Sequence, residues 1–225
     1  MNTLLPLLLS VTALQGQAVE LRIVNEPGLE AVTTHWDGRS VPFVRDGGVW
    51  ITVIGVDLDV EHGEYPAPLT LSFADGRTRM QDENVRVERK EFPTTELTVE
   101  SRYVELDDEN QSRAARESRE ISAIYATLTP ERLWREAFAS PLPGVEGGRN
   151  FGHRRVFNGQ PRSPHSGADL RAATGTPIQA ANRGRVVLAK DLFFSGNAVF
   201  LDHGLGVYSV YLHLSDIDVG VGDIV

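Results

Sequence analysis

A mainly β chain with one helical interruption is what this sequence predicts, on three grounds. Short runs alternating apolar with polar residues recur along most of its length. Asp-Gly and Gly-Gly pairs punctuate those runs. One stretch, Asp107 to Ala139, replaces the alternation with helical spacing. Strands with glycine turns between them suggest small antiparallel β domains, and a helical stretch between two such regions reads as a connector. A chain of 225 residues is long enough for one large domain or two small ones. Three parts follow a short leader: a β domain over 19–100, a helical linker over 101–144 and a second β domain over 145–225.

The leader is the run Leu4 to Leu14, which is apolar and uncharged and is closed by the small residues of Gly16-Gln17-Ala18. It is too short to span a bilayer comfortably. As a secretory signal it would be cut after Ala18, placing the product outside the cytoplasm, secreted or periplasmic. The other reading of the run is a buried N-terminal strand or helix. No later segment is long and apolar enough to anchor the chain in a membrane. With no cysteine, disulfides, thiol chemistry and a lipidated N-terminal cysteine are all excluded. A net charge of −9 argues against nucleic acid as a partner.

Within 19–100 the candidate strands are Ala31 to Trp36, Val41 to Val44, Val49 to Val56 and the alternating Leu69-Thr70-Leu71-Ser72-Phe73. Asp37-Gly38, Asp46-Gly47-Gly48 and Asp75-Gly76 supply the turns. Strands and turns at that spacing predict a small sandwich of immunoglobulin-like type. In the linker, Ile121, Ile124, Tyr125 and Leu128 share one helical face, and Thr129-Pro130-Glu131 reads as a second helix start. Ser140-Pro141-Leu142-Pro143-Gly144 then breaks any regular element. Beyond it, Pro177 to Ala181, Gly184 to Ala189, Ala198 to Asp202 and Gly206 to Leu214 are β-prone.

The residues that imply chemistry lie in this last part. His165 and Asp169 stand four apart, in a segment that Pro164 and Gly167 keep from being helical. A bent segment can still bring imidazole and carboxylate round one cation, and that pair suits zinc. On spacing alone, a loop histidine beside a structural aspartate is the more common case, since His-x3-Asp arises often by accident. His213 follows on the run Val207 to Tyr211, near the end of a predicted strand. Arg154 and Arg155 read as a solvated face or an ion pair, Asn150 and Asn158 as cleft lining or turn, and His153 as surface. His203 reads as structural, and His35 and His62 belong to the first β domain. No serine or cysteine nucleophile motif is present.

Phe151-Gly152-His153-Arg154-Arg155, Asn158-Gly159, His165-Ser166-Gly167-Ala168-Asp169-Leu170, Gly175-Thr176-Pro177, Gly184-Arg185-Val186-Val187, Asp202-His203-Gly204 and Tyr211-Leu212-His213-Leu214-Ser215 follow in that order. The series resembles the lysostaphin-type zinc endopeptidases, whose LytM-like domain cuts peptide bonds in bacterial cell-wall peptidoglycan. The resemblance implies a LytM-like antiparallel β domain over 145–225 and a zinc cofactor. It implies that His165 and Asp169 are metal ligands, that His213 is a catalytic histidine beside the metal, and that peptidoglycan peptides are the substrate. The family's His-x-His element, which supplies the third ligand and another histidine, occurs nowhere in this sequence. Two expectations follow: a fragment of a full enzyme, with Ile224-Val225 opening an unpartnered strand, or a degenerate homologue. On either, the 225-residue chain has little activity of its own. The second functional reading is a non-catalytic LytM-like module that binds the wall or activates a partner amidase.

Overall fold

In the computed structural model, residues 11–100 and 106–225 are described. They form two compact units, one up to Glu91 and one from Phe92. The chain is mainly β, as its alternating runs predict.

The first unit holds ten strands: β1 (Val11–Leu14), β2 (Ala18–Val24), β3 (Leu29–Trp36), β4 (Arg39–Pro42), β5 (Val44–Asp46), β6 (Val49–Gly55), β7 (Gly63–Pro66), β8 (Leu69–Phe73), β9 (Thr78–Gln81) and β10 (Asn84–Glu88). They form three sheets, ordered β1-β10-β7, β2-β6-β5 and β4-β3-β8-β9. The β3–β4 turn is Asp37-Gly38, with φ of 46° and 71°. Two consecutive left-handed residues make the tight hairpin turn that Asp-Gly favours. Leu69, Leu71 and Phe73 of β8 face inward while Thr70 and Ser72 are half-exposed, so the period of two builds the core with Leu21, Ile23, Val32 and Ile54. The run Val41 to Val44 does not make one strand: Pro42 ends β4 and Val44 opens β5.

The expected leader lies partly outside the described residues. Its last part is structural: β1 pairs in parallel with β10, and Ala13 is buried in the core. The amide of Gly16 donates to the Val56 carbonyl at 3.0 Å, and that of Val56 to Gln17 at 2.9 Å. Residues 11–14 therefore form a paired strand with one buried side chain, Ala13. A cut after Ala18 would strip β10 of its parallel partner.

The second unit begins earlier than the expected boundaries, because β11 (Thr94–Leu97) pairs in parallel with β12 (Arg154–Phe157), which in turn pairs with β13 (Gln160–Arg162). Long-range pairing of this kind leaves no local mark in sequence. Between them runs α1 (Asp108–Ala126), capped by the Asp107 carboxylate, which accepts from the Asn110 amide at 2.8 Å. The other sheet is β14 (Arg185–Leu192), β15 (Gly196–Gly204) and β16 (Val207–Leu214), all antiparallel. Its residues alternate between two layers. Leu188, Leu192, Ala198 and Phe200 pack against Ile121 and Ile124 of α1, whereas Val186, Val199 and Leu201 pack against Ile217 and Val219. Arg113 reaches Asp191, and Lys190 pairs with Glu120, across the same helix–sheet contact. Tyr208 donates to the carbonyls of Ile124 and Thr127 at the end of α1, at 2.9 and 2.7 Å.

Thr129-Pro130-Glu131 does not start a helix. Its polar groups are spent on the end of β15: the Thr129 carbonyl accepts from the Leu205 amide at 2.7 Å, and its hydroxyl donates to the buried Asp202 carboxylate. The Leu133 amide donates to the His203 carbonyl at 2.7 Å, which completes the docking. Pro177 to Ala181 is likewise no strand, although the Gln179 amide donates to Pro141 and the Ala139 amide to Ala181. Ile224 and Val225 are not unpartnered, as the sequence suggested. Val225 and Gly184 exchange both backbone hydrogen bonds at 3.0 Å, extending the β14 edge.

Candidate metal centre

The site is built on a strip of chain, Gly147 to His153, that runs beside His165 to Leu170. The Gly148 amide donates to the Asp169 carbonyl at 3.1 Å, the Gly152 amide to His165 at 2.7 Å, and the His165 amide to His153 at 2.9 Å. Gly147 bridges Leu170 in antiparallel fashion. Glycine is required at 152 because φ is 80° there and a Cβ would lie 2.1 Å from the Phe92 ring. The loop entering His165 is held from below by Arg155, which donates to the carbonyls of Ser163 and Pro164, each at 3.2 Å. Arg155 is therefore a clamp on the site rather than part of a solvated face.

This scaffold brings His165 and Asp169 together, Nε2 to Oδ1 at 3.4 Å. His165 Nδ1 lies 3.2 Å from the Asn150 carbonyl. A carbonyl only accepts, so neutral His165 carries its proton on Nδ1 and turns the bare Nε2 lone pair toward Asp169. Two electron-pair donors facing each other at that distance are poorly served by each other and well served by a cation between them. The donor set, one imidazole nitrogen and one carboxylate oxygen, fits zinc. The imidazole is mostly buried, while the Asp169 carboxylate is 65 % exposed, so the pair opens to solvent.

The described residues contain no group of three or more His, Cys, Asp or Glu able to hold a metal. His165 and Asp169 lie within 3.4 Å of each other, and His213 does not join them in a metal-holding group of three. Its place has its own character. From Tyr211 to Leu214 β16 spends one residue more than β15 does from Val199 to Asn197, a bulge. His213 occupies it in the left-handed region, φ 57°, with its amide donating to the Ser195 carbonyl at 2.9 Å and its side chain exposed. Non-glycine residues adopt that conformation at some cost, and such positions concentrate at functional sites.

The remaining candidates are structural. His203 is fully buried, with Nδ1 at 2.8 Å from the Arg183 carbonyl and Nε2 at 2.8 Å from Ser209 Oγ. Burial pushes its imidazole pKa down, against the opposing effects of the Arg183 carbonyl and Asp202. Ser209 Oγ lies 3.0 Å from the Tyr211 hydroxyl, which accepts from the Ala181 amide at 2.7 Å. Tyr211 thus ties β16 to the segment ahead of β14. Asn158 (φ 49°) exchanges hydrogen bonds with the Val99 backbone, a turn role. His153 is half-buried, not surface, and its Nδ1 lies 2.7 Å from Thr95 Oγ1. Asn150 is the residue that sequence reasoning undervalued. Its side chain accepts from the Asp169 amide at 3.2 Å and donates to Asp169 Oδ2 at 2.5 Å. Separations of 15 and 19 residues from its partners gave no sequence signal.

Residues 163–225, which include all three site residues, match the family described as Peptidase family M23. A stretch of 74 residues is 38% identical to peptidoglycan DD-endopeptidase ShyA of Vibrio cholerae serotype O1, covering 32% of this chain and 17% of that protein. A second, of 61 residues, is 36% identical to an uncharacterized metalloprotease of Buchnera aphidicola subsp. Baizongia pistaciae, covering 27% of this chain and 16% of that one. The chain therefore spans about a sixth of the curated relatives it matches. A crystal structure from Pseudomonas aeruginosa assigned to peptidase M23 superposes with a TM-score of 0.62 at 29% identity, over 94% of this chain and 78% of that one. Sequence over residues 163–225 and fold over 94% of the chain both resemble peptidase family M23.

Proposed function

We propose that the chain is an exported zinc metalloendopeptidase component whose target is the peptide of bacterial cell-wall peptidoglycan. The observation that carries this reading is the His165 Nε2–Asp169 Oδ1 pair, 3.4 Å apart and open to solvent. It lies inside the stretch that matches peptidase family M23. His165 and Asp169 hold the metal from one bend of chain, and the Asn150 carbonyl keeps the His165 proton on Nδ1, away from it. Bound zinc supplies a Lewis acid for the scissile carbonyl and makes a water molecule acidic enough to attack at neutral pH. His213 donates a hydrogen bond to the oxyanion that develops on the carbonyl, a stabilisation of about 3–4 kcal/mol when preorganised. The similarity to ShyA, a peptidoglycan DD-endopeptidase, supports the wall peptide as substrate. Export is supported by the apolar run that opens the sequence.

Two ligands hold zinc loosely, so the 225-residue chain alone is proposed to be a weak hydrolase. That same shortage favours a second reading, a wall-binding or amidase-activating module. The two separate in one experiment. Purified peptidoglycan is incubated with zinc and either this chain or a form continued past Val225 to include a His-x-His element, and new free amino termini are counted. Zinc-dependent release by the longer form, lost in His165→Ala and Asp169→Ala, supports the peptidase. Binding to the wall with no release by the longer form rejects it in favour of the module.

A further inference from the structure

We infer that Asn150 is the positioning residue of the His165–Asp169 pair, one residue that sets the aim of both. The inference rests on reading that pair as a metal site and adds a role for a third side chain in shaping it. Asn150 lies midway along the strip Gly147 to His153, where backbone hydrogen bonds at Gly148 and Gly152 lock the strip to Asp169 and His165 respectively. From there it faces both residues at once. Its main-chain carbonyl takes the His165 Nδ1 proton at 3.2 Å. Its amide oxygen takes the Asp169 main-chain proton at 3.2 Å, and its amide nitrogen donates to Asp169 Oδ2 at 2.5 Å.

Each contact removes one freedom that would spoil the site. The carbonyl fixes the tautomer, leaving Nε2 as the free donor atom. Occupying Oδ2 stops the carboxylate from rotating and leaves Oδ1 as the oxygen turned to His165 at 3.4 Å. The fork needs one donor and one acceptor on a short arm, which an amide has. Aspartate would lack the donor and set a second negative charge against Asp169. Alanine would release Asp169, which at 65 % exposure has solvent to swing into. Partners that orient metal ligands in this way are typically worth about 10–100-fold in affinity.

The test uses the full chain, zinc ions alone as the probe, and isotope-edited NMR of the histidine rings with a parallel calorimetric titration. Wild type is expected to bind zinc with a shift of the His165 Nε2 resonance. Asn150→Ala and Asn150→Asp are each expected to weaken binding about 10–100-fold. In metal-free Asn150→Ala the His165 proton stays on Nδ1, because the main-chain carbonyl survives, while the Asp169 amide proton moves as it loses its acceptor. A purely structural role would lower the melting temperature of Asn150→Ala without weakening zinc binding by the folded protein, and that result overturns the inference. So does equal zinc affinity in wild type and in whichever of the two variants folds. Wild type that binds no zinc at His165 overturns the metal reading itself, and the positioning role falls with it.

Discussion

His213 offers a test in which the sign of an effect, not only its size, is dictated by the backbone. At φ 57° in the β16 bulge it pays the penalty that side chains with a Cβ incur in the left-handed region. For alanine that penalty is roughly 1–2 kcal/mol, and glycine escapes it. Glycine in turn loses about 0.5–1 kcal/mol through its more flexible unfolded chain. The difference makes His213→Gly more stable than His213→Ala by about 0.5–1 kcal/mol, the reverse of the order in an ordinary strand. The amide that donates to Ser195 is present in both variants, so it cancels. For a domain of this size about 1 kcal/mol moves the melting temperature by roughly 4 °C, giving a gap of about 2–4 °C. Differential scanning calorimetry of the two proteins reads it directly. Should the alanine variant melt at or above the glycine variant, the left-handed bulge that presents His213 is absent in solution.

Three further outcomes follow from the second unit. Tyr208→Phe removes the donor to the Ile124 and Thr127 carbonyls and costs about 1 kcal/mol in urea unfolding. Burial, then Asp202 and Tyr125, push the Tyr208 hydroxyl up to about 12, so the unfolded chain ionises first and stability falls as pH rises from about 10 toward 12. In Tyr208→Phe that alkaline slope flattens, and an unchanged slope contradicts the assignment. Burial holds the His203 imidazole below its ordinary value, so below about pH 6.5 the unfolded chain takes the proton first. Stability is fully present above that pH and is lost as pH falls toward the folded value. Unfolding midpoints for His203→Gln depend less on pH in that range, and equal dependence rejects the buried neutral imidazole. Gly204→Ala places a Cβ 1.7 Å from the Glu131 carbonyl oxygen at φ 87°, and a loss of about 3 kcal/mol or more is expected. A melting temperature equal to wild type would show that residues 129–133 do not dock on β15.

What could be seen in the sequence was what acts locally. Asp37-Gly38 announced its hairpin because the turn needs two left-handed residues in succession. The Leu69, Leu71, Phe73 alternation announced a core-facing strand because side chains in a strand alternate by two. His165 and Asp169 stood out through the ordered series of motifs around them, since a histidine and an aspartate four apart are common by accident. Tertiary competition hid the rest. Thr129-Pro130-Glu131 has every local mark of a helix start, yet its hydroxyl and carbonyl serve Asp202 and Leu205, far along the chain. The apolar pattern of residues 11–14 is equally that of an inward strand, and their pairing with β10 has no local mark in sequence. Asn150 was indistinct for the same reason, since a hydrogen bond to a residue 19 positions away has no period to detect. The β16 bulge at His213 depends on the register with β15, which no single strand encodes.

The pairing of His165 with Asp169 around one cation is what the functional reading stands on, and a crystal of the full chain soaked in zinc tests it most directly. The anomalous difference map is expected to show one peak bonded to both His165 Nε2 and an Asp169 carboxylate oxygen, at about 2.0–2.2 Å from each. A well-occupied peak elsewhere, or soaked crystals in which His165 turns Nδ1 rather than Nε2 toward Asp169, would contradict it.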